Sequence, residues 1–159
     1  MKIPQHYIPK ALSIRDRITQ KAHIQRLKQN YRRNRYINRP KLKSFKAKES
    51  PHVIRAKQLY NIRVIKPSKE LARKTKCSLG TLRKIAKKGK GAYYSSGSRP
   101  NQTAHSWARA RLASAISGGN ASISDFHLLS QGCQTRSKAL KLARKTCKKH
   151  NKKCVQKHI

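Results

Sequence analysis

Acidic residues are almost missing from this sequence. Only 4 of its 159 residues are Asp or Glu, against 41 Lys and Arg, which gives a formal net charge of +37. The four carboxylates, Asp16, Glu49, Glu70 and Asp125, are scattered, and Asp16 and Glu70 fall where an acidic residue stabilises the first turn of a helix. The sequence offers no set of nucleophile, base and orienting group. We therefore expect a protein that is not an enzyme and uses no cofactor.

Long apolar runs are also missing. No run approaches the roughly 18 apolar residues of a membrane-spanning helix. The N-terminal MKIPQHYIP has two prolines and no apolar segment of the kind that marks a secretory signal. Aromatic residues make up 6% of the chain, and its mean hydropathy is -0.87. Low hydropathy combined with high net charge is typical of a chain that becomes ordered against a partner.

The excess of positive charge predicts an anionic partner. Binding to nucleic acid is favoured because neutralised phosphates release counterions. A phospholipid surface and acidic protein faces are the alternatives. The composition suits a component of a ribosome-like particle, a nucleoprotein or a virion shell.

One segment carries little charge. From Gly91 to Gly132 there are three arginines, one aspartate and no lysine, together with Trp107 and five of the seven glycines. We expect this segment to be the folded centre of a mainly α protein. The predicted small helical domain, residues 51–133, combines a helix-turn-helix-like pair with a helical hairpin. A basic arm with an amphipathic helix (1–50) and a basic helix with a tail (134–159) flank it.

Apolar spacing and capping residues predict the helices outside the central pair. The predicted apolar stripe of the first helix, 13–35, consists of Ile14, Ile18, Ala22, Ile24, Leu27 and Tyr31. An extended linker, 36–50, leads to a short helix at 52–60, and 61–67 is a strand or a connector. We expect the hairpin helix 104–117 to begin at Thr103 or Ser106 and to stop at Gly118-Gly119. Its partner begins at Ser122 or Ser124 and stops at Gly132, and a last helix covers 137–149.

Residues 68–89 have the pattern of a helix-turn-helix. Ser68 begins the first helix, the break falls at Lys76-Cys77-Ser78, and Gly89 and Gly91 end the second helix. The usual turn residue is glycine, which adopts the left-handed conformation more readily than Lys76 does. The second helix is expected to expose a set of residues that could contact nucleic acid: Thr81, Arg83, Lys84, Lys87 and Lys88. A plain packing role for the helix pair is the alternative.

Further candidate sites lie outside this pair. The turn at 95–100 contains Arg99 and free backbone N–H groups, so it is either an anion site or a structural turn. No GK[ST] follows, which excludes a P-loop, and Arg109 is a further candidate for anion binding. Tyr93-Tyr94 could stack on a base, although packing of at least one ring in the core is favoured.

The cysteines leave three states open. Residues with zinc-ligating side chains are spaced C-x2-H-x3-C-x3-H near the C-terminus: Cys147, His150, Cys154 and His158. A straight helix would spread them over about 16 Å, so a metal site requires a bend. Disulfides among the four cysteines, or free thiols, are the alternatives, depending on the redox compartment.

The string GAYYSSGSRPNQTAHSWARARLASA is long and distinctive. It closely resembles a small basic family of uncharacterised function in nucleocytoplasmic large DNA viruses, including chlorella viruses, with related segments in some large phages. The resemblance covers about residues 44–133 and carries no catalytic residues. It implies a viral protein.

Three functions fit these observations. The first is a non-enzymatic virion component: a minor capsid protein on the inner face of a large icosahedral shell, which bridges capsid proteins and meets DNA or the inner membrane with its basic segments. The second is a DNA-binding or DNA-condensing helix-turn-helix protein of the virion. The third is a ribosomal protein, which the charge fits and the viral resemblance does not.

Overall fold

Residues 2–152 and 154 are described by the computed structural model, and they form eight α-helices and no β-strand. The helices are α1 (Ile14–Arg32), α2 (Pro51–Tyr60), α3 (Lys69–Thr75), α4 (Leu79–Ser96), α5 (Ala104–Ile116), α6 (Asn120–Ser124), α7 (Phe126–Gly132) and α8 (Lys138–Lys149). A short 3-10 turn, Gln5–Tyr7, precedes α1. The predicted mainly α class is confirmed, and residues 61–67 form a connector.

The chain divides into two compact units, with one change of unit between Lys48 and Glu49, close to the predicted boundary at 50, and none at 133. Unit 1 consists of Met1–Lys48 and Lys90–Trp107, and unit 2 consists of Glu49–Gly89 and Ala108–Ile159. The boundaries between the units fall inside α4 and α5. The low-charge segment therefore contributes to both units and is not a folded centre of its own, which corrects the expectation for it. Trp107, in the first turn of α5, is counted with unit 1, and the rest of that helix from Ala108 is counted with unit 2.

In unit 1, α1 buries part of the predicted stripe, Ile24 and Leu27, but not its first two isoleucines. Ser13 caps it as expected, accepting a hydrogen bond from the Asp16 N–H. The buried residues are Gln20, Ile24 and Leu27, whereas the side chains of Ile14 and Ile18 are 78% and 67% exposed. At 100° per residue, Ile14 and Ile18 lie about 110° and 150° from the centre of the buried face. The polar Gln20 takes their place because its amide donates to the carbonyls of Tyr7 and Ser98.

The linker after α1 contains no helix or strand and has a turn at Lys43–Ser44, and side chains fasten its residues up to Lys48 to the rest of unit 1. The Asn101 amide accepts from the Leu42 N–H at 2.7 Å and donates to the carbonyls of Leu42 and Phe45. The Asp16 carboxylate accepts from the Ser44 N–H at 3.0 Å and from its hydroxyl. These hydrogen bonds hold the pKa of Asp16 below its usual range. Residues 1–48 are therefore part of a compact unit.

In unit 2, α5 contributes the predicted stripe of Ala108, Leu112, Ala115 and Ile116, all buried. Gly118 ends the hairpin helix in the left-handed conformation, with φ of 76°. Neither Ser122 nor Ser124 begins the next helix, because α6 starts directly at Asn120 and its N-cap is Gly119. Both α6 and α7 contact α8, which covers nearly the predicted range and is capped by Ser137.

Glycine does not end α4 where the sequence suggested. The helix continues through Gly89 and Gly91 to Ser96, and Tyr93 in its last turns is 1% exposed. A helical glycine costs about 1 kcal/mol relative to alanine, and burial of an aromatic side chain contributes more than that. The prediction that at least one ring of Tyr93-Tyr94 is buried is confirmed.

Candidate nucleic-acid interface

The connection between α3 and α4 has the predicted order of helix, short turn and helix. Ser68 caps α3 by accepting from the Leu71 N–H at 3.1 Å, and α3 ends at Lys76, which is left-handed with φ of 56°. A lysine there costs roughly 1 kcal/mol more than the usual glycine. Ser78 then begins α4, since its hydroxyl accepts from the Thr81 N–H at 3.2 Å.

Three bonds fasten this turn to the end of α7. The Ser78 N–H donates to the Gly132 carbonyl at 2.8 Å, the Gln134 N–H donates to the Lys76 carbonyl at 2.9 Å, and Cys77 forms a disulfide with Cys133. The two hydrogen bonds form an isolated antiparallel β-bridge between Cys77 and Cys133. The sequence alone does not identify this pairing, because the two cysteines are 56 residues apart and four cysteines allow several pairings.

The two faces of α4 within unit 2 differ sharply. Leu82 and Ile85 are fully buried in the core with Leu71 of α3. A second set of residues is exposed on the opposite side, and we call it the basic face of α4: Gly80, Arg83, Lys84 and Lys87. The predicted exposure of the three cations is therefore confirmed. The lysines and the arginine all fall within an arc of about 100°.

Thr81 was expected on the exposed side, and that expectation is wrong. Its side chain is 7% exposed and packs on Gly132, where an added Cβ would lie 1.6 Å from the Thr81 hydroxyl oxygen. The hydroxyls of Thr81 and Ser78 hydrogen-bond to each other at 2.8 Å. Thr81 thus joins the start of α4 to the end of α7 and cannot contact a ligand.

Lys88 is exposed as predicted, but it forms an ion pair within the chain. Its Nζ lies 2.8 Å from Oδ1 of Asp125, a carboxylate with no exposed surface. Arg111 binds the same carboxylate through Nε at 2.9 Å and Nη2 at 2.8 Å. Burial alone would raise the pKa of Asp125, but hydrogen bonds from Arg111 and Lys88 outweigh it and hold that pKa below its usual range. Lys88 therefore positions α4 and contributes little to a free cationic surface.

Gly80 is an unusual residue for this position. It lies in the first turn of α4, is exposed, and an added Cβ would meet no atom within 4 Å. The described part of the chain therefore gives no packing reason for a glycine that lowers helix stability by about 1 kcal/mol relative to alanine. A glycine on an exposed helix face permits close approach by another backbone.

Arg99 and Arg109 are both exposed, in unit 1 and unit 2 respectively. Acceptors of the turn at Arg99 bind another arginine of unit 1. Arg39 donates to the hydroxyl and carbonyl of Ser98 and to the carbonyl of Arg99, and its guanidinium lies 5.1 Å from the ring centroid of Tyr93. The hydrogen-bonded groups of this turn are oxygen acceptors that bind the Arg39 cation. This arrangement favours a structural turn over an anion site.

The proposed zinc ligands do not form a site. Cys147 and Cys154 are joined in a disulfide, which leaves no thiolate for a metal, and His150 is exposed. His158 lies outside the described residues. Within the described residues, no three His, Cys, Asp or Glu side chains come close enough together to hold a metal ion.

No helix in the described ranges is long and apolar enough to cross a membrane. In comparisons with known proteins, residues 4–128, well over half of the chain, match the model of a family of unknown function (DUF5824). No curated protein and no solved structure matches.

Proposed function

Since the chain belongs to this family, whose function is unknown, we propose its function from the interface itself: a non-enzymatic protein that binds nucleic acid through the basic face of α4. The observation that carries this proposal is the set of three exposed cations, Arg83, Lys84 and Lys87, on one side of a helix whose other side is buried. Cations held on a rigid helix fit the spaced phosphates of a nucleic acid backbone.

The charge balance supports an external polyanion. All four carboxylic side chains of the protein are engaged: Asp16 by Ser44, Glu49 by Lys57, Glu70 by Lys74, and Asp125 by Lys88 and Arg111. Only four of the 41 basic side chains therefore pair with a carboxylate in the part of the chain that the structure describes. Phosphates would neutralise many of the remaining cations.

Gly80 adds a steric argument. It begins the basic face where α4 presents its N-terminal end, and the open space above it lets a phosphate backbone approach the helix closely. The bonds from Cys77, Ser78 and Thr81 fix this end of α4, so the face is preorganised and binding orders few groups.

A matched pair of triple variants tests the proposal. Arg83→Ala/Lys84→Ala/Lys87→Ala removes the basic face, and Arg144→Ala/Lys141→Ala/Lys145→Ala removes the same charges from exposed positions of α8 in the same unit. Fluorescence anisotropy with a labelled DNA duplex should show at least about a tenfold weaker Kd for the α4 variant and a much smaller change for the α8 variant. Equal weakening would mean that bulk charge accounts for binding. An excess of unlabelled duplex of unrelated sequence then separates sequence-specific binding from general phosphate binding.

A minor capsid protein on the inner face of a DNA virus shell is the second candidate. The resemblance of residues 44–133 to a viral family supports it, and so does one structural feature. Ile14 and Ile18 form an exposed apolar ridge on α1, and apolar ridges of this kind mark protein contacts. Mass spectrometry of purified virus particles should detect the protein, with crosslinks from α1 to a capsid protein. Its absence from the particles would reject this candidate and leave nucleic-acid binding open.

A further inference from the structure

Three tyrosines come together at the end of α1 in unit 1: Tyr31, Tyr36 and Tyr94, which we call the tyrosine platform. Tyr31 and Tyr94 lie parallel, with ring centroids 5.9 Å apart and an interplanar angle of 11°. Tyr36 meets Tyr94 at 5.1 Å and Tyr31 at 5.9 Å, at 73° and 67° to their planes. Offset-parallel and perpendicular contacts are the arrangements that aromatic rings favour.

Local structure fixes this arrangement. The chain reverses after α1 through Asn34, which is left-handed with φ of 56°, and the N–H groups of Asn34 and Arg35 donate to the carbonyls of Tyr31 and Asn30. Asparagine tolerates this conformation better than most residues. On the other side, the ring of the buried Tyr93 lies 5.1 Å from that of Tyr94. The platform is therefore held before any ligand arrives.

The platform is accessible. Tyr36 is 65% exposed, an unusual value for a tyrosine that already contacts two other rings, and Tyr31 and Tyr94 are half-buried. Packing within unit 1 accounts for the buried surface of the three tyrosines. It does not account for the exposed surface of the Tyr36 ring. An exposed, preorganised aromatic surface is a ready stacking site for a flat ring.

Exposed cations adjoin the platform in the sequence. Arg32, Arg33 and Arg35 are exposed next to it in the sequence, and they make no side-chain hydrogen bond or ion pair with the described residues. Lys90, one turn before Tyr94 on α4, is exposed as well. The one acidic residue of unit 1, Asp16, is hydrogen-bonded to Ser44. Nothing acidic therefore competes for these cations, which suit the phosphates of a strand whose bases reach the rings.

We propose that the tyrosine platform, with Arg32, Arg33 and Arg35, is a binding site for single-stranded nucleic acid in which an unpaired base stacks on Tyr36. A duplex keeps its bases stacked internally and offers no free base face to an aromatic surface, whereas an unpaired strand does. The inference rests on the proposed function only for the class of partner. The tyrosine platform is thus a second site, for single-stranded nucleic acid, in addition to the basic face of α4, which is tested with duplex.

A pair of substitutions at the exposed position tests this site. In the full-length protein, Tyr36→Leu removes the ring and Tyr36→Phe keeps it. With a fluorescein-labelled oligothymidylate, Tyr36→Leu should weaken binding about tenfold and Tyr36→Phe by less than about twofold, because base stacking needs the ring and not the hydroxyl. With a labelled duplex, Tyr36→Leu should bind like the parent protein.

Each other outcome overturns the proposal. Unchanged binding of oligothymidylate by Tyr36→Leu would show that no base stacks there. Equal weakening for the single strand and the duplex would show that phosphate contacts or a fold defect are responsible. Photocrosslinking of a 5-iodouracil oligonucleotide to the parent protein needs no variant, and it should map to Tyr36 by mass spectrometry. The basic face of α4 is tested with duplex only. A negative result for the tyrosine platform therefore does not affect the test of the α4 face, and the reverse also holds.

Discussion

At the scale of single residues, Asp125 is the most consequential side chain in unit 2. Its carboxylate has no exposed surface and joins Arg111 of α5 to Lys88 of α4, so it holds one face of α4 toward the core. Removing one partner of a buried ion pair leaves the others buried without compensation. Lys88 lies about 90° around α4 from the centre of the basic face, so the positions of Arg83, Lys84 and Lys87 depend on this carboxylate.

Substituting Asp125→Asn should lower the free energy of unfolding by about 3 kcal/mol, the lower end for a broken buried pair since Lys88 and Arg111 are partly exposed. Urea unfolding followed by circular dichroism measures it. Glu49→Gln, which breaks the exposed pair with Lys57, is the control and should change the stability by less than about 1 kcal/mol. If both variants lowered the free energy of unfolding by similar amounts, Asp125 would not be the buried, stabilising ion-pair partner described above.

His23 adds a pH dependence in unit 1. Its Nδ1 is buried without a hydrogen-bond partner among the described residues, and burial, followed by the charges of Arg39 and Arg26, lowers its pKa. The folded state thus disfavours the charged form. Neutral His23 therefore contributes to the stability of the folded state. This contribution is present above the unfolded pKa of about 6.5 and is lost as the pH falls through the lower, folded pKa.

Replacing His23→Gln should therefore flatten the decline in thermal stability between about pH 7 and pH 5, because the glutamine does not titrate. Thermal unfolding at several pH values measures the slope for the parent and the variant. His105→Gln, at an exposed position of α5, is the control and should keep the slope of the parent. If the His23→Gln variant kept the parent's dependence of thermal stability on pH, His23 would not be the source of that dependence.

At the scale of the elements, capping residues made α1, α2, α3 and α8 predictable, since Ser13, Ser50, Ser68 and Ser137 each accept a hydrogen bond in the first turn. The sequence could not reveal which face of α1 is buried. Gln20 is buried there because its amide donates hydrogen bonds to the carbonyls of Tyr7 and Ser98, which lie elsewhere in the chain. Nor could it show that Thr81 packs on Gly132 or that Lys88 pairs with Asp125. Those contacts depend on tertiary structure that joins segments about 40 to 50 residues apart.

The two glycines that bear on α4 should respond in opposite ways to alanine. Gly132→Ala places a Cβ against Thr81 and should cost about 1–3 kcal/mol through overpacking. Gly80→Ala meets open space and should stabilise the protein by about 1 kcal/mol. The proposed function adds that Gly80→Ala weakens binding to duplex DNA although it stabilises the fold. Chemical denaturation and anisotropy on the same samples measure both, and a Gly80→Ala variant with unchanged binding would exclude a close backbone approach.

At the scale of the whole molecule, the sequence predicted the helical class and the basic character but not the division into units. Composition favoured residues 91–132 as a folded centre, yet α4 and α5 carry parts of it into both units. Hydrogen bonds from Asn101 and Asp16 draw the basic residues 1–48 into unit 1, and a lysine-rich composition gives no sign of that. The charge is thus presented largely from folded surfaces, where its geometry can matter.

The dependence of duplex binding on salt tests most directly whether that geometry matters. Each phosphate contact contributes about 0.9 to the slope of log K against log salt concentration. Arg83→Ala/Lys84→Ala/Lys87→Ala should reduce the slope of the parent by about 2.7. The charge-matched substitutions of Lys141, Arg144 and Lys145 should leave it nearly unchanged. Equal reductions by the two variants would contradict a defined interface on α4.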